Sequence, residues 1–299
     1  MKEKRKIIKD VITRTSLLQR GLCKVRRKIN GILNRWGMRR FTHVDSLATW
    51  MFNLRCFDLR TALKRPVFIY NDVQIISLGK VIIDAKDIHK GMIRIGNWPM
   101  KAHNKTKIHK GGTTIFHGAC EIWGGTIIEG GGILEFGDNT RFGESCKIMC
   151  TYHVKIGNNV SVGYETTFMD TDFHFVIDTV SHTVHPNRGE VIIGDGTWIS
   201  STCKIMKGSR LPMNSVVSGG SLVNKDFSNE EPCSVFVGTP AKPVKRNKRR
   251  IFNKRAEADI SRYFNEHPDE KTKVLDVEDI DAFCFSNYFY GSKNKSHPM

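Results

Sequence analysis

Apolar residues recur every six positions through the middle of the chain. Six aliphatic residues keep this spacing without a break, and the residue four positions after each of the first five is small. The aliphatic members are Ile193, Ile199, Ile205, Leu211, Val217 and Val223, and the small members are Thr197, Cys203, Ser209, Ser215 and Ser221. A period of six fits neither an α-helix, with about 3.6 residues per turn, nor a plain amphipathic strand, with about two. It therefore predicts short strands joined by regular corners.

Two shorter runs precede this stretch in other frames. Phe136, Phe142 and Ile148 form one, and Ile156, Val162 and Phe168 form the other. In a triangular solenoid three hexads make a coil of about 18 residues, with the apolar member pointing into the prism and the small member inward beside a corner. We predict a mainly β chain built as a parallel β-helix. A β-sandwich is the alternative, but sandwiches do not hold a strict six-residue register.

The chain divides into three parts by its pattern of apolar residues and by its charge. Residues 1–65 carry 18 Lys and Arg against 4 Asp and Glu, a net charge of +14, with apolar residues at helical spacing. Residues 66–245 carry 18 against 17 and contain the hexads, and residues 246–299 carry 11 against 9. These ranges predict a basic helical N-terminal segment, a β-helix domain and a C-terminal extension. The excess of positive charge belongs to the N-terminal segment.

The basic segment bears on partners and location. It is either a solvated cap over the first coil or a peripheral contact with anionic lipid at the inner face of a membrane. Nucleic-acid binding is not expected, because Trp36 and Phe41 are the only aromatic residues interleaved with the basic residues of its first 49 positions. No apolar run of about 20 residues and no signal-peptide pattern is present, which predicts a cytoplasmic protein. The eight cysteines lack CxxC spacing and are expected to be buried thiols, with Cys146 and Cys203 at inward positions.

The hexad register fails between Phe168 and Ile193, over residues 169–190. From Thr166 the sequence is TTFMDTDFHFVIDTVSHTVHPNRGEV, which is polar and rich in histidine. A repeat fold that excludes such a loop from its regular wall usually does so for a site. Chemistry is therefore expected in this loop.

Four segments carry a family resemblance. They are DTDFH at residues 170–174, IIGDGTWIS at 192–200, GGSLVNKD at 219–226 and GTPAKPVK at 238–245. In this order and spacing they resemble hexapeptide-repeat acyltransferases, which are left-handed parallel β-helices, and they are most similar to the branch that O-acetylates cell-surface polysaccharides. The resemblance covers about residues 85–245. It implies acetyl-CoA as co-substrate, a carbohydrate or glycan acceptor, a homotrimer and no metal.

The resemblance also implies roles for individual residues. His174 holds the place of the catalytic base, with either Asp172 or Asp170 as its carboxylate partner. The residues implied for the acyl donor are Trp198 near the thioester, the Ser201 N–H on its carbonyl, Gly219, Gly220 and Lys225 along the pantetheine, and Lys242 and Lys245 near the phosphates. Two positions depart from the family pattern, where Ser200 replaces a glycine and Thr239 an asparagine.

The chemistry behind these roles is general. A sugar hydroxyl is a poor nucleophile, and attack on a thioester needs a base of near-neutral pKa, such as imidazole, to take its proton. A nearby carboxylate fixes the tautomer and stabilises the imidazolium. A preset N–H donor stabilises the oxyanion of the tetrahedral intermediate. His182 and His185 are rival bases, but we interpret them as acceptor contacts or surface residues.

Other interpretations remain open at this stage. His103, His109, His117 and His153 are expected to face solvent. Carbonic anhydrases share the β-helix, but their zinc needs a histidine pair five residues apart, which this loop and its flanks lack. A serine or amino-sugar acetyltransferase and a non-catalytic β-helix scaffold are the alternative functions. The sequence does not identify the acceptor or the acyl chain length.

Overall fold

The computed structural model describes residues 44–96 and 105–285. Two short helices open the described part: α1, Ser46–Cys56, and α2, Leu59–Lys64. Each begins at an aspartate whose carboxylate accepts a backbone N–H, Asp45 from Ala48 at 2.9 Å and Asp58 from Thr61 at 3.1 Å. Such caps satisfy amide groups that have no partner in the first turn. Residues 1–43 of the predicted basic helical segment, 1–65, lie outside the described residues.

Twenty strands follow the helices. They are β1 Val67–Ile69, β2 Val73–Ile83, β3 Ile93–Gly96, β4 Thr106–Phe116, β5 Cys120–Trp123, β6 Ile127–Gly130, β7 Ile133–Phe136, β8 Thr140–Phe142, β9 Lys147–Met149, β10 His153–Ile156, β11 Ser161–Val162, β12 Thr167–Met169, β13 Val191–Ile193, β14 Trp198–Ile199, β15 Lys204–Met206, β16 Arg210–Leu211, β17 Val216–Val217, β18 Leu222–Val223, β19 Val235–Gly238 and β20 Ala241–Lys245. All pair in parallel except β19 with β20. The predicted fold class, a mainly β parallel β-helix, is confirmed.

The strands form three faces of a prism. Face A contains β1, β3, β5, β8, β11, β14, β17 and β19, stacked in that order. Face B contains the first halves of β2 and β4, then β6, β9, β12, β15 and β18. Face C contains the second halves of β2 and β4, then β7, β10, β13 and β16. The chain passes from A to B to C in each coil, so three edges join the faces.

The predicted inward residues fill the prism. All six aliphatic members of the long hexad run are at most 3% exposed, and the five small members at most 1%. Four phenylalanines continue the core toward the N-terminus, with ring centroids 5.2 to 5.7 Å apart between neighbours: Phe116, Phe136, Phe142 and Phe168. The small residues also form hydrogen bonds, since Ser209 Oγ donates to the Val223 carbonyl at 2.9 Å. The serine hydroxyls thus satisfy backbone groups that the short strands leave unpaired.

Left-handed backbone conformations recur at the edges. At the edge from C to A they fall on Asn139, Asn159, Gly196 and Asn214, and at the edge from A to B on Gly125, Ser145, Glu165, Thr202 and Gly220. Asparagine and glycine tolerate this conformation best, which explains their recurrence between hexads. The tight edges bring successive faces close enough to share one core.

A ladder of charged side chains runs along the outside of face C. His117 lies 2.9 Å from Glu135 through Nε2, and His153 lies 2.8 Å from the other Glu135 oxygen. The second ring nitrogens face Asp84, at 3.2 Å from His117, and Glu190, at 3.2 Å from His153. The expectation that His117 and His153 simply face solvent is wrong. Strand stacking aligns side chains from successive coils, so residues about 20 positions apart become neighbours.

This ladder predicts a stability effect at acidic pH. Burial of Glu135 opposes its ionisation, but hydrogen bonds from His117 and His153 and the charge of Lys155 outweigh it, so the pKa of Glu135 lies below its usual 4.5. A lowered carboxyl pKa stabilises the fold above the unfolded-state value, and this stabilisation is lost as pH falls through the folded-state value. Glu135→Gln should therefore unfold at a lower temperature than wild type near neutral pH. Below about pH 4 the two unfolding temperatures should become equal. Glu165→Gln, which changes an exposed carboxylate, is the control. A difference in unfolding temperature between Glu135→Gln and wild type that persists unchanged in acid would contradict the lowered pKa of Glu135.

The C-terminal extension turns back along face A. It contains α3, Lys254–Glu266, and α4, Ile280–Phe285. Phe252 stacks on Phe285 with centroids 5.4 Å apart, and the Arg249 guanidinium lies 4.8 Å from the Phe285 ring centroid. These contacts join parts of the extension to each other, and the Arg250 guanidinium, 5.0 Å from the Trp198 ring centroid, joins the extension to face A.

The cysteines of the described residues are all free thiols. Cys146 and Cys203 are fully buried at inward positions, as predicted. Burial raises the pKa of Cys120 and of Cys146 to about 12, which makes both thiols unreactive. Among the helices of the described ranges, none is long and apolar enough to cross a membrane.

Candidate functional site

The irregular loop leaves the prism at the edge between faces B and C. Residues 170–190 separate β12 from β13, whereas one coil later residues 207–209 make the same turn. The loop is hairpin-like, with isolated bridges between Thr171 and Arg188 and between Ile177 and Val184. Its side chains therefore stand outside the regular wall.

Asp170 anchors the base of this loop. Its side chain is fully buried, and its oxygens accept hydrogen bonds from the Thr151 N–H at 2.8 Å, the Thr151 hydroxyl at 3.0 Å and the Tyr152 N–H at 2.8 Å. The Asp170 carbonyl accepts the Gly189 N–H at 2.9 Å, which closes the loop. Asp170, one of the two candidate carboxylate partners for His174, therefore binds the preceding coil through its side-chain hydrogen bonds.

The charge of Asp170 affects the pKa values of two buried groups beneath the loop, Cys150 and Lys110. Burial raises the pKa of Cys150 to about 12, and the Asp170 carboxylate adds to the rise. Burial lowers the pKa of Lys110, while the Asp170 carboxylate acts in the opposite direction. The Lys110 ammonium donates to the Gly132 carbonyl. Asp170 thus balances a lysine enclosed in the prism.

Asp172 lies on the outside of the loop and pairs with a lysine. Its carboxylate is 2.5 Å from Nζ of Lys207, which also donates to the Pro186 carbonyl at 3.0 Å. Lys207 belongs to the next coil, so it holds both arms of the loop. Lys207 was not predicted from the sequence, in which its position at the edge one coil after the loop is the available signal.

His174 lines an open cavity of about 440 Å³ in the loop. Its amide donates to the Asp172 carbonyl at 2.7 Å, and the left-handed conformation of Phe173 (φ 61°) turns the chain between them. No hydrogen bond or ion pair within the described residues engages the imidazole, which is exposed. The other polar residues lining the cavity are Asp172, Asp178, Thr179, His185, Asn187 and Lys207. His174 and Asp172 therefore share one cavity without a direct side-chain hydrogen bond.

The rival histidines differ in position. His185 lines the same cavity as His174, whereas His182 lies in the tip of the hairpin and does not line it. The tip is shaped by Asp178, whose carboxylate accepts the Ser181 N–H at 2.6 Å and the Val180 N–H at 2.9 Å. These backbone hydrogen bonds lower the pKa of Asp178. Asp178 is thus a charged carboxylate of the cavity that the sequence analysis did not name.

Trp198 lies on face A, away from the loop. The Arg250 guanidinium lies 5.0 Å from its ring centroid and donates to Ser161 Oγ at 3.1 Å. The C-terminal extension therefore lies against the indole, a contact that the sequence could not predict.

Ser201, Gly219 and Gly220 share the edge between faces A and B. The Ser201 N–H meets no acceptor among the described residues, and Gly163 of the preceding coil lies so close that a Cβ there would be 2.5 Å from this nitrogen. A Cβ on Gly220 would meet no atom within 4 Å, and one on Gly219 would make only ordinary contacts. This edge therefore presents backbone groups with no side chain over them. Lys225, Lys242 and Lys245 are all exposed, but Lys225 follows β18 at the edge between faces B and C, whereas Lys242 and Lys245 lie on β20 beside face A.

His174 and its two candidate aspartates belong to the loop at the edge between faces B and C. Ser201, Gly219 and Gly220 lie at the edge between faces A and B. Strand β15 and its flanking residues separate the edge of Ser201 from the edge of Lys207, a span of about 10 Å or more at about 3.3 Å per residue. Ser201 is not among the residues that line the cavity of His174. Among the described residues, no group of three or more His, Cys, Asp or Glu side chains is arranged to hold a metal ion.

Comparison with known proteins indicates the class of enzyme that this sequence resembles. The predicted resemblance to hexapeptide-repeat acetyltransferases is confirmed, because the curated proteins that the sequence matches are named as acetyltransferases. YvoF of Bacillus subtilis (strain 168), provisionally named as an acetyltransferase, is 33% identical over 92 residues, which cover 30% of this chain and 46% of YvoF. The galactoside O-acetyltransferase of Lactococcus lactis subsp. lactis (strain IL1403) is 33% identical over 93 residues, covering 28% and 39%.

A solved structure extends the comparison. The polySia-specific acetyltransferase NeuO is 21% identical, with a TM-score of 0.41, and the match covers 66% of this chain and 98% of NeuO. No family model matches the sequence. The chain spans about half or less of the length of the curated relatives it matches.

Proposed function

We propose that the chain is an acyltransferase that moves an acetyl group from acetyl-CoA to a hydroxyl of a carbohydrate or glycan precursor, with His174 as general base. The observation that carries the proposal is the exposed imidazole of His174, free of partners among the described residues, in a cavity of about 440 Å³ on the irregular loop of residues 170–190. The acetyltransferase names of the similar proteins support the same class of reaction.

The loop residues would carry the proton transfer. The His174 imidazole would take the proton of the acceptor hydroxyl as its oxygen attacks the thioester carbon, and would later return it to the CoA thiolate. Asp172, held by Lys207 at 2.5 Å, and Asp178 add negative charge to the same cavity, which stabilises the imidazolium. His174 would not need a direct hydrogen bond to either carboxylate for this electrostatic effect.

The edge between faces A and B would hold the donor. The unengaged Ser201 N–H would donate to the developing oxyanion, and losing such a donor typically costs about 3 kcal/mol of transition-state stabilisation. Gly219 and Gly220 leave room for the pantetheine arm, and Trp198 lies on the same side of the prism. Lys225, Lys242 and Lys245 would attract the CoA phosphates.

A homotrimer follows from the separation of these two edges. Because His174 and Ser201 lie on different edges of one prism, a neighbouring copy must supply the second half of the site. A cyclic trimer builds three equivalent sites from such heterologous contacts. Light scattering on the purified chain should give three times the monomer mass; a monomer that is fully active would contradict this proposal.

Location and membrane contact are further parts of the proposal. The protein would act in the cytoplasm, where acetyl-CoA is made, and the net charge of +14 over residues 1–65 would favour an anionic membrane surface. Sedimentation with vesicles of anionic and of neutral lipid tests this contact, and equal binding to both would contradict it.

The central experiment measures acetyl transfer. Purified chain, labelled acetyl-CoA and a panel of sugars, glycans, serine and amino sugars should give O-acetylated carbohydrate with release of CoA thiol. Product only from serine or from an amino group would favour the serine or amino-sugar alternative. Absence of both transfer and a thermal shift with acetyl-CoA would favour a non-catalytic scaffold, since a bound ligand raises stability by mass action.

A further inference from the structure

A second cavity lies on face B, beneath the other side of the loop. It has a volume of about 420 Å³, and its walls come from outward side chains of four successive coils with Phe173 above them. Ser77, His109, Glu129 and Met149 are direct neighbours in the strand register, each paired with the next. The cavity therefore runs along one row of the β-helix and ends at the loop.

Two glycines form the floor of this cavity, and the fold does not require either of them. A Cβ on Gly111 or on Gly131 would meet no atom within 4 Å, and neither residue has a left-handed backbone. The next residues along the chain, Gly112 and Gly132, leave no room for a side chain. A Cβ on Gly112 would lie 2.1 Å from the Gly131 carbonyl oxygen, and one on Gly132 would lie 2.5 Å from the Tyr152 backbone. The missing side chains at Gly111 and Gly131 thus leave space in the cavity without relieving any clash.

The lining indicates an uncharged ligand with many hydroxyl groups. No Lys or Arg is among the described residues that line the cavity, which disfavours a phosphate or a CoA molecule. Ser77, His109, Glu129 and Thr151 offer donors and acceptors, and the Glu129 and His109 side chains make no hydrogen bond within the described residues. The half-exposed Phe173 ring offers an apolar face of negative potential, against which the C–H groups of a pyranose can pack. Few polar groups around an apolar surface are typical of small-ligand sites.

The cavity lies one residue along the loop from the cavity of His174. Phe173 covers it, and the next residue, His174, lines the cavity in the loop. We infer that the glycine-floored cavity binds a neutral saccharide and presents its hydroxyl to His174. This inference rests on the proposed acetyl transfer, of which it names the acceptor subsite: Gly111 and Gly131 as its floor, Phe173 as its cover, and His109 with Glu129 as its polar wall.

The test fills the cavity without disturbing the fold. Gly131→Leu should raise the KM for the saccharide about tenfold or more while leaving the KM for acetyl-CoA unchanged. Phe173→Ala should do the same by removing the cover. Lys80→Leu, which adds an exposed leucine outside the cavity, is the matched control and should leave both constants unchanged.

A binding measurement separates this inference from the reaction itself. Saturation-transfer NMR with methyl pyranosides of glucose, galactose, mannose and N-acetylglucosamine should give signals with wild type and with His174→Ala, and none with Gly131→Leu. Loss of binding in Gly131→Leu supports the cavity even if wild type transfers no acetyl group, in which case only the proposed function fails. Wild-type saccharide binding and KM in Gly131→Leu, no binding of any pyranoside to wild type, or competition by CoA would each overturn the inference.

Discussion

Replacing His174 with alanine is expected to lower kcat about a hundredfold to ten-thousandfold, the usual contribution of a general base. The imidazole is exposed in the loop cavity, and the fold does not use its side chain in any described hydrogen bond. Thermal unfolding should therefore be unchanged. Binding of CoA, measured by calorimetry, should also be close to that of wild type, because the proposed donor edge lies on another part of the prism.

His185→Ala and His182→Ala are the matched controls. His185 lines the same cavity and should have a smaller effect, while His182 lies in the hairpin tip and should have none. Unchanged turnover in His174→Ala would remove this residue from the mechanism, and a large loss in His185→Ala alone would transfer the role of base to His185.

Replacing Asp170 with alanine is expected to destabilise the fold by about 3 kcal/mol, the scale of losing one partner from a buried charged network. The substitution leaves the Thr151 and Tyr152 N–H groups without an acceptor and the buried Lys110 without a nearby negative charge. It also frees the base of the loop that carries His174. Chemical denaturation should report the stability loss, and kcat should fall in parallel.

Asp172→Asn separates the two aspartates. Asp172 is exposed, so its substitution should cost little stability, while turnover should fall because the cavity loses negative charge beside His174. If Asp170→Ala instead reduced kcat with stability unchanged, Asp170 would be the catalytic partner rather than the anchor of the loop.

The architecture could be predicted from the sequence because it depends on a strict local period. Ile199, Val217 and Ser215 each fall on the predicted inward row, and all are buried. Inward packing requires only that a side chain be apolar or small at its place in the hexad. The position of the loop was also predictable, since it is where the register stops.

The remaining contacts depend on which coils become neighbours. Lys207 pairs with Asp172 from 35 positions away, and His153 bridges Glu135 and Glu190 from coils on either side. These pairs are set by the lengths of the coils and of the loop, which the hexad pattern alone does not specify. The contact of Arg250 with Trp198 depends on the path of the C-terminal extension, for which the sequence has no repeat to follow.

The most important result for the site is the separation of its halves. Motifs that follow one another in sequence suggest one continuous site, but residues 174 and 201 leave the prism at different edges. We therefore expect each active site to be shared by two copies of the chain.

Complementation between two inactive variants tests that claim most directly. His174→Ala disables the loop edge, and Gly219→Leu fills the proposed pantetheine edge where a Cβ makes only ordinary contacts. Each variant alone should be inactive, whereas mixed trimers isolated through two different tags should recover about one third of wild-type activity, because a mixed ring contains one intact pairing of edges in three. Activity in the mixed assemblies no higher than in either variant alone would contradict a site built from two chains.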